Sequence, residues 1–140
     1  MARAINTSAG MALQRILCPI DFSPTSSQAL RLAARLAKRD HAALVIVHVG
    51  YSGTPGGDYQ YPSDLFPRVV AEERRTLDDA VAEVTQLGVE RVSAELLQGH
   101  PWQQIVERLD GTFDLVVLGT RGRTGAGAGG CTAAAVAGPG

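Results

Sequence analysis

Ala42-Ala-Leu-Val-Ile-Val-His-Val49, AALVIVHV, is apolar and β-branched almost without a break. A strand with one wet face alternates polar and apolar residues, whereas an unbroken run of this length suits a strand covered on both faces inside a parallel sheet. His48 is its one polar insertion. Two accounts fit that imidazole: satisfaction by hydrogen bonds at a strand end, or catalysis. Upstream, residues 16–20 (ILCPI) form a second short apolar run closed by Asp21. Ser23-Pro24 then supplies a helix start, since Ser caps free backbone N–H groups and Pro fits the first helical position. Ala29, Leu30, Ala33, Leu36 and Ala37 follow at helical spacing, and Lys38-Arg39 complement the negative end of the helix dipole.

Downstream, residues 50–63 (GYSGTPGGDYQYPS) read as a long, mobile surface loop. A long helix is expected over roughly 64–87, with Phe66, Val70, Leu77, Val81 and Val84 inward and Gly88 at its end. Its Glu72, Glu73, Arg74, Arg75, Asp78 and Asp79 read as a solvated face. Residues 89–97 alternate as a third strand, with Val92, Ala94 and Leu96 sharing a face. Gly99-His100-Pro101 turns into a short helix over 102–109 with Ile105, Val106 and Leu109 inward, and 113–118 (FDLVVL) is a fourth strand. The order β-α-β-α-β-α-β predicts an α/β fold, an open parallel sheet with helices on both faces and right-handed crossovers.

Composition narrows the function classes. The chain has 140 residues, 45% hydrophobic and 19% charged, with a formal net charge of −1. That balance suits one globular domain and lacks the basic field of a nucleic-acid binder. Cys18 and Cys131 stand far apart with no CxxC spacing or nearby His, so reduced thiols are expected and no metal site. No run approaches the roughly 18 consecutive apolar residues of a membrane span. MARAINTSAGMALQR lacks the apolar core of a secretory signal, so residues 1–13 read as a flexible extension and the cytoplasm as the location.

In open α/β sheets ligands bind beyond the carboxyl ends of the strands. Those ends here are Pro19-Ile20-Asp21, Val49-Gly50 and the GTRGRTG stretch, Gly119 to Gly125. Asp21 could bond ribose or adenine or assist a metal; it could equally be a turn residue. Gly119 and Gly122 let a loop turn tightly and aim N–H groups at phosphate oxygens, Thr120 adds a hydroxyl, and Arg123 adds charge. The GxxxxGK[ST] phosphate loop is absent. No Ser/His/Asp set or paired carboxylates stand at readable spacing, so no catalytic residue is assigned.

CPIDFSPTSSQAL, ALVIVHV, QGHPWQQIVERL and FDLVVLGTRGRTG, in this order, resemble the universal stress protein family over residues 14–125. The resemblance implies a Rossmann-like five-stranded parallel fold, often homodimeric, and in many members ATP binding. By position it implies Asp21 on ribose or adenine, the Val49 backbone on adenine, and Gly119 and Gly122 on phosphates. The implied function is a stress-response module holding ATP or a related adenine nucleotide, with or without Mg2+, and with at most weak ATP hydrolysis. The alternative is a non-nucleotide-binding protein-interaction or regulatory domain of the same fold. A small-molecule or flavin-binding domain of related architecture is a third option.

The tail departs from the family. The nucleotide-binding pattern G-x2-G-x9-G-[ST] is met by Gly119 and Gly122, but its second half falls on Thr132-Ala133. Residues 126–140 are rich in Gly and Ala where the family has an amphipathic helix and a last strand often at the dimer seam. Each interior Gly costs a helix about 1 kcal/mol relative to Ala. The expectation is an atypical tail with no normal final helix, no fifth strand and a weakened homodimer. Natural divergence or a late reading-frame shift would each produce such a tail.

Overall fold

A computed structural model describes residues 12–50, 66–109, 111–120 and 130–135. The elements are β1 (Arg15–Pro19), α1 (Pro24–Asp40), β2 (Ala43–Gly50), α2 (Phe66–Gln86), β3 (Arg91–Gln98), α3 (Pro101–Arg108), β4 (Leu115–Thr120) and β5 (Gly130–Ala135). They build one five-stranded sheet in the order β3-β2-β1-β4-β5. The strands β1 to β4 are parallel, as the unbroken apolar runs predict.

The pleat sorts the core into two layers. Ile16, Cys18, Leu44, Ile46, Leu115 and Val117 face α1 and α2, packing on Ala29, Ala33, Ala37, Leu77 and Val84. Leu17, Val45, Val47, Phe113 and Val116 form the layer on the other face. Val92, Ala94 and Leu96 share the first layer, as their spacing predicts. Small alanines on α1 let that helix lie close to the sheet, and Ala29 and Ala33 are fully buried. Ser23 is the N-cap of α1: its side chain accepts from the Ser26 amide at 3.2 Å, with Pro24 in the first turn.

Four expectations change. The chain does have a fifth strand, and it runs antiparallel to β4, from Thr120 opposite Gly130 to Leu115 opposite Ala135. A parallel strand needs a long crossover, but an antiparallel one can return through a shorter connection, here residues 121–129. Pairing on an open edge is made by backbone groups, so small residues do not prevent it. Secondly, β4 extends through Gly119 and Thr120, beyond the expected strand end at 118. Thirdly, Val106 is 58% exposed, because Ile105 and Leu109 are one turn apart and Val106 falls beside their face. Lastly, Glu73 is not on the solvated face of α2. It lies one turn before buried Leu77, and its side chain is only 19% exposed.

Candidate functional site

The chain leaves β1 for β2 and β3 on one side, whereas β4 lies on the other. The carboxyl ends of β1 and β4 are therefore the switch point at which open sheets form a crevice. The β1–β4 pairing sets Ile16 beside Leu115 and Leu17 beside Val116. Beyond it, a cavity of about 200 Å3 is lined by Pro19, Ile20, Asp21, Ser26, Val47, His48, Val49, Pro101, Ile105, Leu118 and Gly119. Five of the residues singled out in the sequence thus meet around one space: Pro19, Ile20, Asp21, Val49 and Gly119. Thr120 ends β4 opposite Gly130. Gly122 and Arg123, with the rest of the GTRGRTG stretch beyond Thr120, lie outside the described residues.

Each wall has a local cause. At the tip of β1, the Ile20 amide donates to the Val47 carbonyl at 2.8 Å and continues the parallel ladder. The Asp21 amide then donates to Ser26 Oγ at 3.3 Å, and Asp21 Oδ1 accepts from the Ser23 amide at 2.9 Å. This Asx-type turn feeds the N-cap of α1, so both readings of Asp21 meet in one residue. It is a turn residue, and it is exposed beside the cavity. Phe22 takes the left-handed backbone conformation at φ 65°, a strain of about 1–2 kcal/mol for a residue with a Cβ. The α3 wall comes from Pro101 and Ile105, placed by the Gly99-His100-Pro101 turn.

Gly119 is tied to the backbone of α1. A Cβ there would stand 2.5 Å from the Thr25 carbonyl oxygen and 2.9 Å from the Ser26 nitrogen. The first turn of α1 consequently sits directly against the end of β4.

Sequence reasoning missed the polar layer behind the β1 tip. His48 is buried, with Nδ1 2.9 Å from the Ile20 carbonyl oxygen and Nε2 3.2 Å from Glu73 Oε2. A carbonyl oxygen only accepts, so Nδ1 carries a proton; the ring pairs with the Glu73 carboxylate when Nε2 carries one too. Phe22 stacks on the imidazole, with ring centroids 4.1 Å apart and planes 29° from parallel. The hydrogen-bonded account of His48 therefore holds. Its signal was one imidazole in an apolar run; nothing in the sequence named Glu73 or Phe22 as its neighbours.

The lining combines Asp21, Ser26 and His48 with apolar residues, which suits a planar, partly polar organic group. Among the described residues no group of three or more His, Cys, Asp or Glu side chains could hold a metal ion. No described helix is long and apolar enough to cross a membrane.

Comparison with known proteins agrees with this architecture. The model of the Universal stress protein family matches residues 12–137. A curated relative, Universal stress protein A homolog 1 of Coxiella burnetii, is 29% identical over 120 residues, covering 82% of this chain and 81% of its own length. A crystal structure of a universal stress protein family member from Burkholderia pseudomallei is 35% identical, with TM-score 0.60, covering 78% of this chain and 83% of that one. The universal stress protein of Archaeoglobus fulgidus, solved in complex with dAMP, is 24% identical with TM-score 0.55, covering 73% of this chain and 76% of its own. A match that runs through all four parallel strands and on into β5 makes this chain a member of the universal stress protein family.

Proposed function

We propose that this chain is a stress-response module that takes an adenine nucleotide, ATP or a relative of it, at the carboxyl ends of its strands. The observation that carries the reading is the meeting of Pro19, Ile20, Asp21, Val49 and Gly119 around one cavity at the switch point. The base would lie among Val47, Val49 and Ile105, and the Asp21 carboxylate would accept from a ribose hydroxyl. The Gly119 and Thr120 backbone, with Gly122 and Arg123, would meet the phosphates. The dAMP complex of the Archaeoglobus fulgidus relative supports an adenine ligand for this fold. A cytoplasmic homodimer is part of the same proposal, and light scattering across a concentration series tests the dimer.

A second reading has its own observation. Thr132 and Ala133, where the family pattern asks for Gly and Ser or Thr, lie in β5 opposite Leu118 and Val117. A strand there, instead of a helix start, favours a protein-interaction domain without a phosphate cradle. Calorimetric titration with AMP and ATP, with and without Mg2+, separates the two, together with extraction of copurified small molecules. The nucleotide reading expects a saturable isotherm that Asp21→Ala weakens by roughly tenfold, the loss of a charge-assisted hydrogen bond. No isotherm with either nucleotide and no copurified adenine compound would sink it and leave the interaction domain.

A further inference from the structure

We propose that His48, braced by Glu73, is a positioning residue that holds the Ile20–Asp21 peptide unit and so presents Asp21 to the strand-tip cavity. The role in ligand binding rests on the nucleotide reading above; the positioning itself does not.

The argument begins with one peptide plane. Its oxygen, on Ile20, lies 2.9 Å from His48 Nδ1, and its N–H, on Asp21, donates to Ser26 Oγ at 3.3 Å. A peptide unit is planar, so gripping both its oxygen and its hydrogen fixes its rotation. That rotation sets where the Asp21 side chain leaves the backbone. The two grips come from different elements: Ser26 belongs to α1, whereas His48 projects from β2 and is held from α2 by Glu73 Oε2 at 3.2 Å. The tip of β1 is therefore tied to both helices on that face.

Stability alone does not account for this arrangement. The ring and the carboxylate are only 11% and 19% exposed, and buried pairs of this kind commonly lose little when apolar groups of similar volume replace both partners together. An aliphatic residue at 48 would simply continue the apolar run from Ala42 to Val47. What it would lack is an N–H aimed at the Ile20 oxygen. The neighbouring strain agrees: Phe22, at φ 65°, keeps its ring stacked on His48, so the turn after Asp21 is shaped around that imidazole. Gly50 completes the fit, since a Cβ there would stand 2.7 Å from Glu73 Oε1 and push the carboxylate aside.

Three variants of the full chain test the proposal: His48→Leu, which fills the space without a donor; His48→Asn, whose amide nitrogen can replace Nδ1; and Glu73→Ala. Amide hydrogen exchange at Asp21 and Ser23 reads the positioning, and AMP calorimetry reads its consequence. His48→Leu is expected to stay folded, to speed exchange at Asp21 and to weaken AMP binding, each by roughly fivefold to tenfold, the worth of one hydrogen bond. His48→Asn restores both readouts toward the original. Glu73→Ala gives a smaller change of the same sign, and it carries the test if His48→Leu does not fold. Wild-type exchange at Asp21 in a folded variant lacking the donor or its brace overturns the proposal. Faster exchange with unchanged AMP affinity overturns the link to binding. If the original protein binds neither AMP nor ATP, the nucleotide reading falls, and the exchange rates still decide the positioning.

Discussion

A methyl group on Gly119 would meet the carbonyl oxygen and carbon of Thr25 at 2.5 and 2.6 Å, and both are backbone atoms of a capped helix. Backbone in a first helical turn cannot rotate aside as a long side chain can. Gly119→Ala should therefore cost about 1–3 kcal/mol, the usual penalty of overpacking, whether or not a phosphate ever meets this residue. Urea unfolding checks it, and an unchanged midpoint would show that α1 slides away without cost. Asp40 offers a different single-residue test. Its Oδ2 accepts from the Leu13 amide at 2.8 Å, and the Arg39 guanidinium bonds its other oxygen at 2.8 Å. The hydrogen bond from Arg39 is the main cause that holds the Asp40 carboxyl below its usual range, against a smaller opposing effect of burial. A depressed folded pKa means the carboxylate's contribution is complete above the unfolded value, near 3.9, and is lost as pH falls through the folded one. Asp40→Asn should accordingly lower stability at pH 7 and flatten the decline below about pH 4. Equal acid sensitivity in both proteins would remove Asp40 from the account.

Elements differ in how much of themselves they carry in their own residues. The helix α1 was legible because Ser23, Pro24 and the Ala29–Ala33–Ala37 face are local signals, and the cap and buried face appear as that pattern predicts. Each of β1 to β4 was legible from an apolar run or an alternation, to within a residue or two at the ends. By contrast, β5 has no such signal. The segment GCTAAA reads as tail, and what makes it a strand is the open edge of β4 beside it. The site divides in the same way. Asp21, Val49 and Gly119 were visible as strand ends, while Ser26, Glu73 and Phe22 acquire their roles only when α1 and α2 fold over the sheet. The edge origin of β5 has a consequence that can be measured. Removing residues 130–140 should leave the apolar β4 strand, LVVLGT, as an unprotected edge. At about 1 kcal/mol net for each lost ladder bond, the truncated chain should lose a few kcal/mol and aggregate more readily on heating. Calorimetry and light scattering would detect both changes. A truncated protein as stable and as monodisperse as the full chain would mean that β5 contributes nothing to the sheet.

At the scale of the whole molecule, the cavity matters because of what borders it. Its walls come from the ends of β1, β2 and β4, the start of α3 and the first turn of α1, so nearly every layer of the fold contributes an atom to it. These walls exist together only in the folded chain, and unfolding scatters them. A ligand seated there binds the native state alone, and mass action then converts its affinity into stability. At a free concentration one hundred times its Kd the gain is about 2.7 kcal/mol, which for a chain of this size raises the melting temperature by roughly 5–15 °C. The dependence has a form that distinguishes seated binding from nonspecific salt effects: the shift continues to grow with the logarithm of ligand concentration. Arrhenius-like changes in unfolding rate do not enter if the transition is reversible. AMP and ATP should each produce such a curve, and Asp21→Ala should displace it toward higher concentration by the same factor by which it weakens the isotherm. GMP, which offers a carbonyl where adenine offers an amino group, should displace it further. If AMP and ATP at millimolar concentration leave the transition of the unmodified protein where buffer of equal ionic strength leaves it, the strand tips hold no adenine nucleotide. The family membership would stand, and the fold would then serve partners through its surface.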